Sequence, residues 1–260
     1  MWLKNKTQFI FSCLGIIILL FIFFPVLNIF ISTSPSVLKL TILEKEVIES
    51  MKISIISSLW AIFIGFILGI PLAYQLARYS FPGKFLIEGI INIPIVIPHS
   101  AAGIALLGVF SSNKVGGKFF KIFNINFIGE IPGIVIAMLF VSVPFLINSA
   151  RDGFKSIDLK IENVARSLGA NSWQVFWKIS FPLAWKNILS GIMLMWGRGI
   201  SEFGAVIILA YHPMTSSVLI YERFVTYGLK YSGPISCILI LGCLLFFILS
   251  QKFAYGKKSD

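Results

Sequence analysis

Six long apolar runs alternate with short polar interludes along this chain, over residues 9–31, 53–77, 87–110, 133–150, 188–210 and 234–253. Each is close to the length needed to cross a hydrocarbon core about 30 Å thick, which takes about 20 residues as a helix. The fourth run is the shortest. The pattern predicts an all-α integral membrane protein with about six transmembrane helices. No linker or low-complexity stretch divides it, so residues 1–260 read as one transmembrane domain. The first run continues past Pro25 to Ile31 without a clear small-residue cleavage pattern, so it reads as a retained span rather than a signal peptide. The interlude at 32–51 holds Glu44, Lys45, Glu46 and Glu49 and predicts a short surface helix. The interlude at 111–131 is rich in Gly, Asn and Lys.

Between the fourth and fifth runs the pattern changes. Ile157, Ile161, Val164 and Leu168 follow one another at helical spacing and make a single apolar stripe. Lys155, Asp158, Lys160, Glu162 and Arg166 occupy the other faces. Gly169 interrupts this helix, and Asn171 or Ser172 is placed to cap a second one. Trp173, Phe176, Trp177 and Ile179 give the second helix an apolar side, and Pro182 is expected to end it. Two amphipathic helices between two spans suit a docking element for a soluble partner.

Composition agrees with the membrane reading: 57% of residues are hydrophobic and 13% are charged, against about a quarter charged in globular proteins. The net charge of +11 would suggest nucleic acid in a soluble protein; here its distribution argues otherwise. With the N-terminus inside, thirteen Lys and Arg fall on cytoplasmic segments and eight on external ones, with Arg198 inside a run. That bias favours an N-in, C-in topology, with residues 155–182 in the cytoplasm, and leaves no role for nucleic acid. Cys13, Cys237 and Cys243 lie in apolar runs at no metal-ligand spacing.

Several residues inside the runs stand out. Gly65 and Gly69 form a small-xxx-small pair that lets another helix approach. Pro94 and Pro98 each remove a backbone donor, so the third run is expected to kink or unwind where it lines a cavity. His99 and Ser100 follow directly, and Pro98, His99, Ser100, Ser142 and Ser201 are the candidate residues of a solute pathway. Arg198 and Glu202 lie four apart on one face and read as an intramembrane ion pair. There is no glycine-rich nucleotide loop with its lysine, so the chain does not hydrolyse ATP by that route, and no catalytic or metal site is predicted.

Glu162, Ala165, Ser167, Leu168, Gly169, Ile179 and Pro182 resemble the cytoplasmic EAA loop of ABC-importer permeases. Asn163 and Val164 depart from that pattern, and Phe181 stands for its leucine. The stretches NIPIVIPHSAAGIALL and GISEFGAVIILAYHPMTSSVLIYERF are similar to the molybdate/tungstate permeases of type I ABC importers, and the likeness runs over about residues 53–253. Sulfate permeases share much of the pattern. The resemblance implies a homodimer with the pathway between two copies, two ABC ATPase subunits beneath, and an extracytoplasmic oxyanion-binding protein outside. It further implies a multi-pass protein surrounded by cell-membrane lipid, with no cofactor of its own because ATP binds the partner. Ala170, Asn171 and Ser172 would join the EAA residues in coupling ATPase closure to the spans. Gly169 would be required because a side chain there meets a close backbone turn. The alternatives are a permease for sulfate or another oxyanion, a passive channel, and a membrane enzyme. A channel needs no docking loop, and an enzyme needs clustered titratable residues that the runs do not contain.

Overall fold

The computed structural model describes residues 6–255, with side chains for 7–250; Lys4, Lys257 and Lys258, counted above as cytoplasmic charges, lie outside the described residues. All regular structure among the described residues is helical. Helix α1 (Lys6–Ser32) leads into the short α2 (Pro35–Leu43) and the long α3 (Lys45–Arg78). Then come α4 (Lys84–Val96), α5 (His99–Phe110), α6 (Val115–Lys121) and α7 (Ile131–Lys155). The polar insert forms α8 (Leu159–Ser167) and α9 (Ser172–Val175), followed by one π-helical turn at Phe176–Ser180. The chain closes with α10 (Phe181–Ile200), α11 (Gly204–Leu209), α12 (Ser216–Tyr227) and α13 (Leu229–Tyr255).

Four of these helices, α1, α3, α7 and α13, are each long and apolar enough to cross a membrane. The other two predicted spans are broken. The third becomes α4 and α5, bent by 115° at the Ile97–Pro98 step. A helix cannot continue through Pro98 without losing a hydrogen bond and meeting the preceding turn. Pro94, by contrast, lies inside α4 and does not end it. The fifth stops at Ile200 and resumes as the six-residue α11; Lys186, Asn187 and Arg198 dilute its apolar character. The fourth span is longer than its apolar run, since α7 carries on to Lys155 and takes Pro144 without a break.

The core lies where α3, α7 and α10 pack together, around Met138, Leu146, Ile188 and Met195. The small pair on α3 does what its spacing predicts. A Cβ at Gly65 would sit 2.6 Å from the Met195 Cε, and one at Gly69 would lie 3.1 Å from Ile147. In a bilayer this close van der Waals contact supplies much of the drive for helix association. Helix α1 rests on α13 and otherwise stands apart from the body.

The interlude at 32–51 forms the expected short helix as α2, but the acidic cluster lies outside it. Glu44 separates α2 from α3, and Lys45, Glu46 and Glu49 are the opening turns of α3 rather than a separate surface helix. Arg223 on α12 reaches Glu44 at 3.1 Å and also pairs with Glu46. Ser54 on α3 accepts the Ser216 N–H at 2.8 Å, which satisfies one orphan donor at the start of α12.

Candidate functional site

Two polar constellations stand out, one on the polar insert and one at the break in the third span.

On the insert, Asp158 caps α8 by accepting the Lys160 N–H at 2.9 Å. The predicted apolar stripe does not turn toward the body. Only Ile157 is buried; Ile161 and Val164 are exposed, and Leu168 is 84% exposed. The face that turns inward carries Glu162, which is fully buried. Its Oε1 accepts from Arg78 Nε at 2.7 Å and from Ser180 Oγ at 2.7 Å, and the Arg78 Nη2 lies at 2.6 Å. Its Oε2 lies 3.3 Å from Arg166 Nη2 and 3.4 Å from the Tyr74 hydroxyl. A buried carboxylate is tolerable only when its lone pairs are matched in this way. Glu162 therefore ties α8 to the last turn of α3 and to the turn that opens α10.

Gly169 adopts φ +89°, a left-handed conformation that ends α8 in a tight turn with the Ala170 N–H on the Ala165 carbonyl at 3.0 Å. The expectation that a side chain there would meet nearby backbone is incorrect. A Cβ built at Gly169 finds no heavy atom within 4 Å, and the constraint is conformational. Of the two candidate caps, Asn171 takes the role. Its Oδ1 accepts the Gln174 N–H at 2.9 Å, and Gln174 Oε1 accepts the Asn171 N–H at 2.9 Å.

Pro182 does not end the second helix. The π turn carries α9 directly into α10, and Pro182 falls in the first turn of α10. The Phe181 N–H reaches the Phe176 carbonyl across that wider turn. The helix passes into the ring in a register that asks no hydrogen bond of it. The aromatic side of this segment divides. Phe176 faces inward against Tyr74 at 5.0 Å between ring centroids, while Trp173 and Trp177 remain exposed. Leu168, Gly169, Ala170, Gln174, Lys178 and Ile179 line an open cavity of about 320 Å³. Ser167 donates to the Asn163 carbonyl at 3.0 Å, Ser172 is exposed, and Ala165 is partly buried.

At the second constellation, Arg198 Nη2 lies 2.8 Å from Glu202 Oε2 and 2.6 Å from His99 Nε2. Glu202 is buried, and its Oε1 accepts the Ala205 N–H at 2.9 Å. The Ser217 hydroxyl donates to the Glu202 carbonyl at 2.7 Å. The predicted ion pair is thus present and joins the end of α10 to the starts of α5 and α11. Gly204 is required for this approach, because a Cβ there would lie 2.7 Å from His99 Cβ and 3.3 Å from the Ser100 nitrogen. Pro98 and Ser100 are exposed at the same break.

The other two hydroxyl candidates fall away. Ser142 is fully buried and donates back to the Met138 carbonyl at 2.5 Å, so it lines nothing. Ser201 donates to its own helix at the Gly197 carbonyl, 2.9 Å away, although it stays exposed. Both follow the common habit of serine in helices of bonding the preceding turn.

Tyr74, Arg78 and Ser180 were not legible as site residues. Their partner Glu162 lies 88, 84 and 18 positions away, and no local spacing signals such pairing.

Residues 61–255 match the family described as binding-protein-dependent transport system inner membrane component. The molybdate/tungstate transport system permease protein WtpB of Thermococcus kodakarensis is 40% identical over 98% of this chain and 99% of its own. The protein of the same name from Methanocaldococcus jannaschii is 44% identical over 92% of this chain and 93% of its own. The sulfate transport system permease protein CysT of Synechocystis is 28% identical, covering 81% of this chain and 76% of its own. Among solved structures, a bacterial ABC transporter that imports the acidic polysaccharide alginate superposes with a TM-score of 0.76 at 16% identity, covering 99% of both chains. The MetNI methionine ABC transporter gives 0.64 at 14% identity, covering 86% of this chain and 99% of its own. These likenesses show the type I ABC-importer permease fold.

Proposed function

Because the chain belongs to the family of binding-protein-dependent transport system inner membrane components, we propose that it is the transmembrane subunit of an ATP-driven molybdate and tungstate importer. The observation that carries this reading is the Glu162 lock. It holds an amphipathic helix rigidly against the body while presenting the apolar side chains of Ile161, Val164 and Leu168 outward. An exposed apolar stripe beside a buried charge anchor suits a surface made for another protein. The anion assignment comes from the two WtpB relatives, 40% and 44% identical over nearly the whole chain.

In this reading residues 1–260 act as one transmembrane unit, and two copies enclose the pathway. An ABC ATPase docks beneath each copy, binding the ATP, and an extracytoplasmic protein delivers the oxyanion from outside. The coupling residues are Glu162, Ala165, Ser167, Leu168, Gly169, Ala170, Asn171, Ser172, Ile179 and Pro182, with Arg78, Tyr74 and Ser180 holding them. Movement of a docked ATPase would push α8 as a rigid lever. Through Glu162 the push reaches α3 at Arg78 and α10 at Ser180, two of the three helices that form the core.

The test is ATP-driven uptake in proteoliposomes carrying this chain with its ATPase and binding protein, with tungstate, molybdate and sulfate in competition. Uptake of tungstate or molybdate that excess sulfate does not suppress is the expected result. Preferred sulfate uptake overturns the substrate, and uptake without ATP overturns the class.

A further inference from the structure

We propose that Arg198 and His99 form a transit station for a doubly charged tetrahedral oxyanion, with Glu202 as the residue that positions the guanidinium. The inference rests on the importer reading and adds to it the residues that the anion meets inside the membrane.

Depth comes first. Arg198 is 17 residues into α10 from Phe181, and His99 lies 15 residues beyond Lys84 at the start of α4. At 1.5 Å per residue Arg198 sits roughly 25 Å from the cytoplasmic end of α10, within the hydrocarbon depth, and His99, which opens α5 beyond the bend, shares that depth through its 2.6 Å contact with Arg198. Yet the Arg198 side chain is 25% exposed and that of His99 is 44% exposed. A guanidinium facing lipid is too costly to persist. Backbone outside helix, as at Ile97–Pro98 and Ser201–Phe203, is tolerated at this depth only against protein or water. The open side of the pair therefore faces protein or water, and in the two-copy reading that is the pathway between the copies.

Donor geometry comes next. Among the described residues Arg198 engages its neighbours through Nη2 alone. The Nε and Nη1 groups keep three N–H donors, and each two-point fork of a guanidinium pairs one of them with Nη2, so a fork for two oxygens of one anion is completed when Nη2 gives up His99. An arginine only donates, so the His99 nitrogen at 2.6 Å accepts. The imidazole thus occupies, as an exposed stand-in, a donor that an arriving anion would take.

Charge explains why the site passes its ligand on. Glu202 is fixed by Arg198 on one oxygen and by the Ala205 N–H on the other. It neutralises most of the guanidinium charge, and a pathway must bind weakly enough to release.

The experiment uses the complete reconstituted transporter at saturating loaded binding protein, reading radiolabelled molybdate uptake and ATP hydrolysis together. Arg198→Lys keeps the charge and loses the fork. Its uptake per ATP is expected to fall about tenfold, the size of one charge-assisted hydrogen bond. His99→Phe keeps a ring at an exposed position and places an apolar face at the docking point, with uptake per ATP falling at least about threefold on the same reasoning. Glu202→Gln leaves the cation unbalanced and is expected to slow uptake in the same ratio while hydrolysis continues. Wild-type ratios in Arg198→Lys or His99→Phe overturn the station. So does an equal fall in uptake and hydrolysis, which marks a structural role; should Arg198→Lys fail to assemble, His99→Phe decides. Wild-type vesicles that take up no molybdate overturn the importer reading and the station with it.

Discussion

Glu162 has five polar contacts and no exposure, and that combination sets its energetics. Removing the carboxylate would strand the Arg78 guanidinium, whose side chain is only 6% exposed. Breaking a buried pair from one side costs about 3–5 kcal/mol. Glu162→Ala is therefore expected to lower the thermal unfolding midpoint of the detergent-solubilised protein far more than Arg166→Ala, whose side chain is 39% exposed. Equal midpoints for the two variants would show that the lock contributes little. The sequence identified Glu162 by its place in a motif and put it on a polar face. That the polar face turns inward could not be read, because Arg78 and Ser180 reach it only through the packing of α3, α8 and α10.

At the scale of elements, the polar insert is a helix, a left-handed glycine and a capped helix, and each part follows from local chemistry. The spacing of Ile157, Ile161, Val164 and Leu168 fixed α8, and the Asn171–Gln174 box fixed the start of α9. The π turn was not legible, since it arises from the need to carry a continuous helix past Pro182. Gly169 orients α8 relative to α9 through its φ of +89°. A Cβ there costs roughly 1 kcal/mol in strain and meets no neighbour. Gly169→Arg is thus expected to insert in the membrane normally and to abolish uptake by re-aiming α8 against the ATPase. Fractionation with the uptake assay checks both halves, and normal uptake would remove the coupling role.

For the whole molecule the decisive feature is where apolar surface is left uncovered. Ile161, Val164, Leu168 and Trp173 are exposed on an element outside the spans, the surface that the importer reading gives to the ATPase. Leu168→Asp, at 84% exposure, is expected to leave the fold and the thermal midpoint unchanged while reducing ATPase co-purification at least tenfold. Full recovery of the ATPase would place its docking surface elsewhere. The sequence by itself determined the membrane class, the six apolar runs, the helix–glycine–helix insert and the Arg198–Glu202 pair. Composition and short-range periodicity are properties of the chain alone, and a pair four residues apart needs only one helical turn to meet. Tertiary structure alone decided that His99 joins that pair from 99 residues away. It also decided that Ser142 is sealed in the core, that the expected break of the third span falls at Pro98 and not at Pro94, and that the fifth span breaks. Those outcomes depend on which helix faces pack together, and packing is set by shape and burial across the whole bundle rather than by any local run of residues.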